Sequence, residues 1–263
     1  MICWSPCVKC SYEDVAKLTC DSVTQDVYKA DICVDDQFMF LRRFMFSPPK
    51  CKAILDSMAD PLNYALSKRI PFYTSSEWNY RLWKSKGFNV QGIERRPIKV
   101  YEEFLDVKKD IEFIVVGASR FFDRKNLYLA HEVMTELGVR KKSIIVGKID
   151  PSPGLRLVHG QLKPIPPFRV DYLPFTQSRK ELHMLMARAK YYLALSVVEG
   201  VGLPPIEAMQ YGTIPIYVDA HGFHENLRGI PVEPSRHYVK VISDYPFHIW
   251  EVEKQDILNA IKK

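Results

Sequence analysis

From Lys68 to the carboxyl end, short β-rich runs alternate with helical stretches, a rhythm that restricts this part of the chain to β-α units around a parallel sheet. Ile111 to Gly117 is apolar at nearly every position, as a strand covered on both faces must be. The other expected strands are Ile70 to Thr74, Phe88 to Ile93, Ser143 to Val146, Val170 to Leu173, Tyr191 to Leu195 and Ile214 to Val218. Helices are expected over Trp78 to Ser85, Lys125 to Leu137, from Ser178 through Ala189, and over Pro205 to Tyr211. Ser178 three residues before Glu181 reads as a capping box, and Gly87, Gly138 and Gly212 stand at three expected helix ends. The Pro/Gly-rich stretch Pro151 to Pro167 reads as loop, and Ile249 to Lys262 as a C-terminal helix. Before Lys68 the pattern is fainter, with Glu13 to Tyr28 and Ala53 to Ser67 as helix candidates. A charged stretch after Pro97 reads as a linker, which places a domain boundary near 100.

A chain of 263 residues with 47% apolar and 26% charged residues has enough material for one large or two smaller cores, and disordered, collagenous and coiled-coil readings fall away. Its longest apolar runs are under half the roughly 18 to 20 residues that cross a bilayer. No secretory signal is visible at the start, so a cytoplasmic location is the default expectation. The net charge of +6 is unevenly spread: residues 38 to 100 hold 12 basic and 4 acidic groups and interleave aromatics with cations. Solvated cations around core aromatics are the favoured reading there, and peripheral contact with an anionic membrane is the second. All six cysteines lie within the first 51 residues, Cys7 and Cys10 at C-x-x-C spacing. With no histidine before His131 and no second matched pair, free thiols or disulfides are favoured over a zinc site. Disulfides inside a cell would point to a hyperthermophilic host.

Chemistry concentrates in Ser196 to Glu225, S-V-V-E-G-V-G-L-P-P-I-E-A-M-Q-Y-G-T-I-P-I-Y-V-D-A-H-G-F-H-E. A buried strand ends near Ser196, a loop holds Gly200 and Gly202, and prolines start a helix whose unpaired N–H groups suit phosphate oxygens. Glu199 precedes the glycines, and Glu207, expected in the first helical turn, is placed to accept hydrogen bonds from the two hydroxyls of a ribose. Either carboxylate alone would more often be solvated or capping; their joint spacing carries the weight. Upstream, the loop Ala118 to Asn126 places Arg120 and Lys125 five apart beyond a strand's carboxyl end, where open α/β sheets bind ligands and two cations can hold a diphosphate.

The Glu-x7-Glu frame, with Ser196, Gly200, Val201, Gly202 and Leu203 around it, resembles the donor signature of retaining glycosyltransferases of the GT-B fold, family 4. That resemblance implies an α/β protein of two Rossmann-like lobes: a reduced acceptor-side lobe over 1–99 and a donor-binding lobe over 100–263, whose last helix may return to the first. It implies a hexosyltransferase that moves a sugar from a nucleotide-diphosphate donor to an acceptor hydroxyl with retention. Glu199, Arg120 and Lys125 would be the catalytic groups, and Tyr172-Leu173-Pro174 would cradle the nucleobase, Pro174 standing where glycine is usual. No Asp-x-Asp motif occurs in the chain, so neither metal nor other cofactor is expected. The resemblance covers about residues 111 to 230 and thins toward the start, where the family's early glycine-rich loop and sugar-facing histidine are missing. Asp35, Asp36 and Glu77 are polar candidates in that lobe, each better explained as structural. A partner chain or a second copy would complete a short acceptor lobe, and the acceptor itself could be glycan, lipid or protein. Two other classes stay open: a non-catalytic nucleotide-sugar-binding subunit, and a basic protein associated with membrane or nucleic acid.

Overall fold

The structure is a computed structural model that describes residues 1–6, 11–44, 46–57, 67–117, 124–138, 143–147, 154–158, 161–165, 167, 169–174, 178–242 and 245–262. It divides into two units, the first comprising Met1–Lys99, Glu199–Val201 and Tyr238–His248, the second Val100–Val198, Gly202–His237 and Ile249–Lys263.

In the first unit the chain runs β1 (Ile2–Trp4), α1 (Ser11–Thr19), β2 (Ser22–Thr24), β3 (Ile32–Asp36), α2 (Gln37–Phe44), β4 (Lys52–Asp56), β5 (Phe72–Thr74), α3 (Glu77–Ser85) and β6 (Val90–Ile93). The strands form one sheet of order β2-β1-β3-β4-β5-β6, parallel at every pairing. Both early helix expectations need correction. The helix in 13–28 stops at Thr19, and β-branched Val23 and Thr24 then pair beside β1. Ala53 opens no helix: Ala53, Ile54 and Leu55 are buried in β4 between β3 and β5, an environment that favours a strand. Residues 58–66 of that expected helix lie outside the described residues. Phe40, Phe44, Phe72 and Trp83 fill this unit's core, so these aromatics of the basic segment are core residues, while Phe46 is 83% exposed. Disulfides join Cys3 to Cys20 and Cys33 to Cys51, tying β1 to the end of α1 and β3 to the entry of β4. Cys7 and Cys10 lie outside the described residues.

The second unit contains β7 (Ile111–Gly117), α4 (Leu127–Glu136), β8 (Ser143–Gly147), β9 (Gly154–Val158), β10 (Gln161–Ile165), β11 (Asp171–Pro174), α5 (Arg179–Arg188), β12 (Ala189–Ala194), α6 (Leu203–Met209), β13 (Ile214–Val218), α7 (His221–Asn226) and β14 (Ile230–Val232). Beyond it come β15 (Arg236–Ile242) and β16 (Tyr245–Glu251), a two-stranded sheet, then α8 (Lys254–Lys262). The main sheet has order β11-β8-β7-β12-β13-β14, again parallel throughout. Alternate residues of β7 serve opposite faces: Phe113 and Val115 pack with α4 and α8, Ile114 and Val116 with residues of α5, α6 and α7. That double cover explains why β7 is apolar at nearly every position.

Two departures from the sequence reading occur here. The expected loop at 151–167 contains the antiparallel hairpin β9–β10, where Leu157 opposes Leu162 and Pro164 is held at an edge. Residues 249–251 belong to β16, and the C-terminal helix begins only at Lys254. Ile257 and Leu258 of α8 are buried in the second unit's core beside Val133 and Val232.

Candidate active site

Counting only the main-sheet strands of the second unit, the order is third, second, first, fourth, fifth, sixth, and it reverses between β7 and β12. In open parallel sheets the crevice outside the carboxyl ends at such a reversal receives the ligand. Both chemistry-bearing loops leave from there, one after Gly117 and one after Ala194.

The two loops are laced by hydrogen bonds to backbone carbonyls. Val197 N–H donates to the Arg124 carbonyl at 2.9 Å, Arg124 Nη1 to the Val198 carbonyl at 3.2 Å, and Asn126 Nδ2 to the Leu195 carbonyl at 2.9 Å. A Cβ at position 117 would lie 2.8 Å from the Cβ of Lys125, so the missing side chain of Gly117 lets Lys125 fold against the end of β7. Lys125 is half-buried; Arg120 lies outside the described residues.

Ser196 is 2% exposed, and its carbonyl faces His221 Nε2 at 3.1 Å. A carbonyl cannot donate, so the proton at this contact belongs to Nε2. His221 has φ +45°, a left-handed conformation rare for a side chain of this size, and it sits between Phe223 and Trp250. Gly202, at the N-cap of α6, has φ +81°, and a Cβ there would come 2.2 Å from Phe223 Cε1. Leu203 opens α6 with Pro204 and Pro205 following, so Glu207 sits in the second turn, not the first. The helix begins two residues before the expected start, because proline is as well tolerated just inside the first turn as at its opening.

Glu207 is 3% exposed, with one oxygen paired to Arg179 and the other 3.8 Å from His183 Nε2. His183 Nδ1 lies 2.8 Å from the Tyr211 hydroxyl, which accepts the backbone N–H of Tyr101 at 3.0 Å. Burial raises the Tyr211 phenol above its ordinary pKa; the Tyr101 N–H works against this, and the nearby Glu207 adds to it. Lys109 donates to the Tyr211 carbonyl at 2.7 Å and to Thr213 Oγ1 at 2.9 Å, its own pKa lowered by burial. Leu173 lines a shallow apolar cavity of about 450 Å³ with Phe104, Met184 and Leu185, and Pro174 is exposed at the end of β11.

Glu199, Gly200 and Val201 belong to the first unit. Glu199 is 6% exposed, and a Cβ at Gly200 would lie 2.9 Å from the Ser57 carbonyl oxygen and 3.2 Å from Asn79 Nδ2, so backbone approaches backbone there. In the same unit Asp35 is buried at the end of β3. Asp56 receives Arg96 Nη2 at 2.6 Å and the Ser75 N–H at 2.7 Å. Among the described residues, no group of three or more His, Cys, Asp or Glu is arranged to hold a metal, and no helix is long and apolar enough to cross a membrane.

Residues 100–228 match the family described as glycosyl transferases group 1. A protein of Sulfolobus islandicus filamentous virus named "Putative glycosyltransferase 41" is 37% identical over 257 residues, covering 96% of this chain and 72% of its own. The chain belongs to the group 1 glycosyltransferases. A protein of Acidianus filamentous virus 2 named "Putative glycosyltransferase ORF330" is 29% identical over 192 residues, covering 72% of this chain and 56% of its own. Two solved structures share the fold at 14% identity. Anabaena HepE in complex with UDP-glucose aligns with 94% of this chain and 71% of its own at TM-score 0.59. Sucrose-phosphate synthase from Thermosynechococcus elongatus aligns with 89% and 64% at TM-score 0.56. This group 1 glycosyltransferase therefore has the two-lobe Rossmann-like GT-B architecture. The sequence reading gave no role to Arg124, Arg179, His183, Tyr211 or His221: Arg124 and His221 reach the Val198 and Ser196 carbonyls, Arg179 and His183 reach Glu207 from a separate helix, and Tyr211 reaches His183.

Proposed function

We propose that the chain transfers a hexosyl group from a nucleoside-diphosphate donor to an acceptor hydroxyl, with retention of configuration and without a metal. The observation that carries this reading is the departure of both motif loops from the carboxyl ends of β7 and β12, where the sheet order reverses, the second leading into a helix that holds a buried carboxylate. In the proposed reaction the leaving diphosphate takes the acceptor proton on the face from which it departs. Lys125, Arg120 and the amides between Gly200 and Leu203 balance the charge that develops on it. Glu199 orients the sugar hydroxyls, Glu207 accepts from the ribose, and Leu173 and Pro174 border the base. The Anabaena neighbour solved with UDP-glucose makes uridine sugars the first donors to try.

Calorimetry and thermal shift with UDP-, GDP- and ADP-sugars, with and without magnesium, test the donor site. Glu207→Ala should weaken binding of the preferred series about tenfold or more, as loss of hydrogen bonds to a charged group does. NMR of the product anomer tests retention. An inverted product, or transfer only with magnesium, refutes those parts of the reading; binding without transfer or hydrolysis favours a non-catalytic nucleotide-sugar-binding subunit.

A further inference from the structure

Both oxygens of Glu207 face one turn of α5. Arg179 and His183 are four residues apart, hence on one helical face, and reach Oε1 and Oε2 respectively. At 3.8 Å the imidazole contact is an oriented dipole beside a charge rather than a hydrogen bond. The direction of that dipole follows from counting protons. The Tyr211 oxygen accepts the Tyr101 N–H, and its own single proton points to His183 Nδ1 at 2.8 Å. A neutral imidazole whose Nδ1 accepts carries its hydrogen on Nε2, the nitrogen facing Glu207. His183 is 0% exposed and Tyr211 is 3% exposed, and Lys109 secures the Tyr211 backbone from below. Burying such a chain costs desolvation that apolar side chains of similar shape would avoid, which argues for a task beyond filling space.

We infer that His183 and Tyr211 are positioning residues for the donor nucleoside: the chain from Tyr101 N–H through Tyr211 to His183 fixes a proton on Nε2, and that N–H together with Arg179 holds the Glu207 carboxylate in the orientation that receives the ribose hydroxyls. This rests on the reading of Glu207 given above, and the test separates the two. Dissociation constants of UDP, GDP and ADP and of their 2′-deoxy forms are measured by calorimetry on the wild type, Glu207→Gln, Tyr211→Phe, His183→Leu and His183→Gln, with thermal melts of each. The wild type should prefer the ribo form of its nucleotide by about tenfold, the worth of one hydrogen bond to a charged group. Glu207→Gln should abolish most of that preference. Tyr211→Phe and His183→Leu should lower it about three- to tenfold while leaving affinity for the deoxy form nearly unchanged, and His183→Gln, whose amide N–H replaces Nε2–H, should restore part of it. A purely structural role would weaken both forms alike. An unchanged ratio in Tyr211→Phe and His183→Leu, with the ratio collapsed in Glu207→Gln, overturns this inference alone. An unchanged ratio in Glu207→Gln overturns the ribose reading as well, and binding of none of the six nucleotides overturns both. Tyr211→Phe removes one oxygen and keeps the ring, so it decides the matter if His183→Leu fails to fold.

Discussion

At Gly202 two constraints coincide, a left-handed φ of +81° and the ring of Phe223 where a side chain would begin. Gly212 has a similar φ of +71° but nothing within 4 Å of its missing Cβ. Alanine at 212 should therefore cost only the conformational penalty, about 1–2 kcal/mol. Alanine at 202 should cost more, because Phe223 is itself 1% exposed and has no room to withdraw. Urea unfolding of the two variants compares them directly, and Gly202→Ala should also lose donor affinity while Gly212→Ala keeps it. Lys125 belongs to the same scale. A cation that stabilises charge mainly as the diphosphate leaves should show its loss in turnover, so Lys125→Ala should reduce kcat by more than it raises KM. Unchanged turnover would remove Lys125 from the catalytic assignment.

Among the elements, α5 combines a local start signal with a tertiary task. Ser178 Oγ accepts the Glu181 N–H at 3.2 Å while the Glu181 carboxylate accepts the Ser178 N–H at 2.7 Å, and those bonds hold the Glu181 pKa below its ordinary value. Ser178→Ala should destabilise the protein by about 0.5–2 kcal/mol in chemical unfolding, and because Arg179 and His183 follow the cap, it should also weaken donor binding. On α4, His131 is 1% exposed and its Nε2 accepts the Arg169 N–H at 3.2 Å. Burial first, and the Arg169 charge second, push its pKa below the ordinary 6.5. The neutral ring is thus the folded form, and the unfolded chain takes up the proton first as pH falls. This contribution to stability is complete above about pH 6.5 and lost below it. Melting temperatures from pH 8 to 5 should fall less steeply in His131→Gln than in the wild type. The capping box was legible in the sequence because it spans four residues; the partner of His131 was not, because Arg169 is 38 positions away.

At the level of the whole molecule, two disulfides among the described residues, with sequence separations of 17 and 18, fasten the first unit. Loops of that size correspond to about 3 kcal/mol each in the chain-entropy account. Replacing Cys33 and Cys51 together by alanine should lower stability by about 2–4 kcal/mol, read by urea unfolding, and reduction of the wild type should lower its melting temperature in the same direction. The six clustered cysteines announced that some constraint was there, but pairing depends on which segments become neighbours, and Cys33 meets Cys51 because β3 and β4 lie side by side in the folded sheet. Strands β7, β8, β12 and β13 were readable because a segment buried on both faces is apolar at most positions, a property of the segment itself. Those before Lys68 were obscured because their burial comes from pairing with distant strands, as β4 shows between β3 and β5.

Local pattern and motif spacing alone determined the β-α alternation from Lys68 onward, the loops after β7 and β12, the glycine helix stops and the Glu-x7-Glu frame, since each is written within a few turns of chain. Only the tertiary structure decided the strand order that places both loops at one reversal, and the Arg179, His183 and Tyr211 environment of Glu207. Periodicity records how a segment is buried; which buried groups meet is set by contacts between segments far apart in sequence.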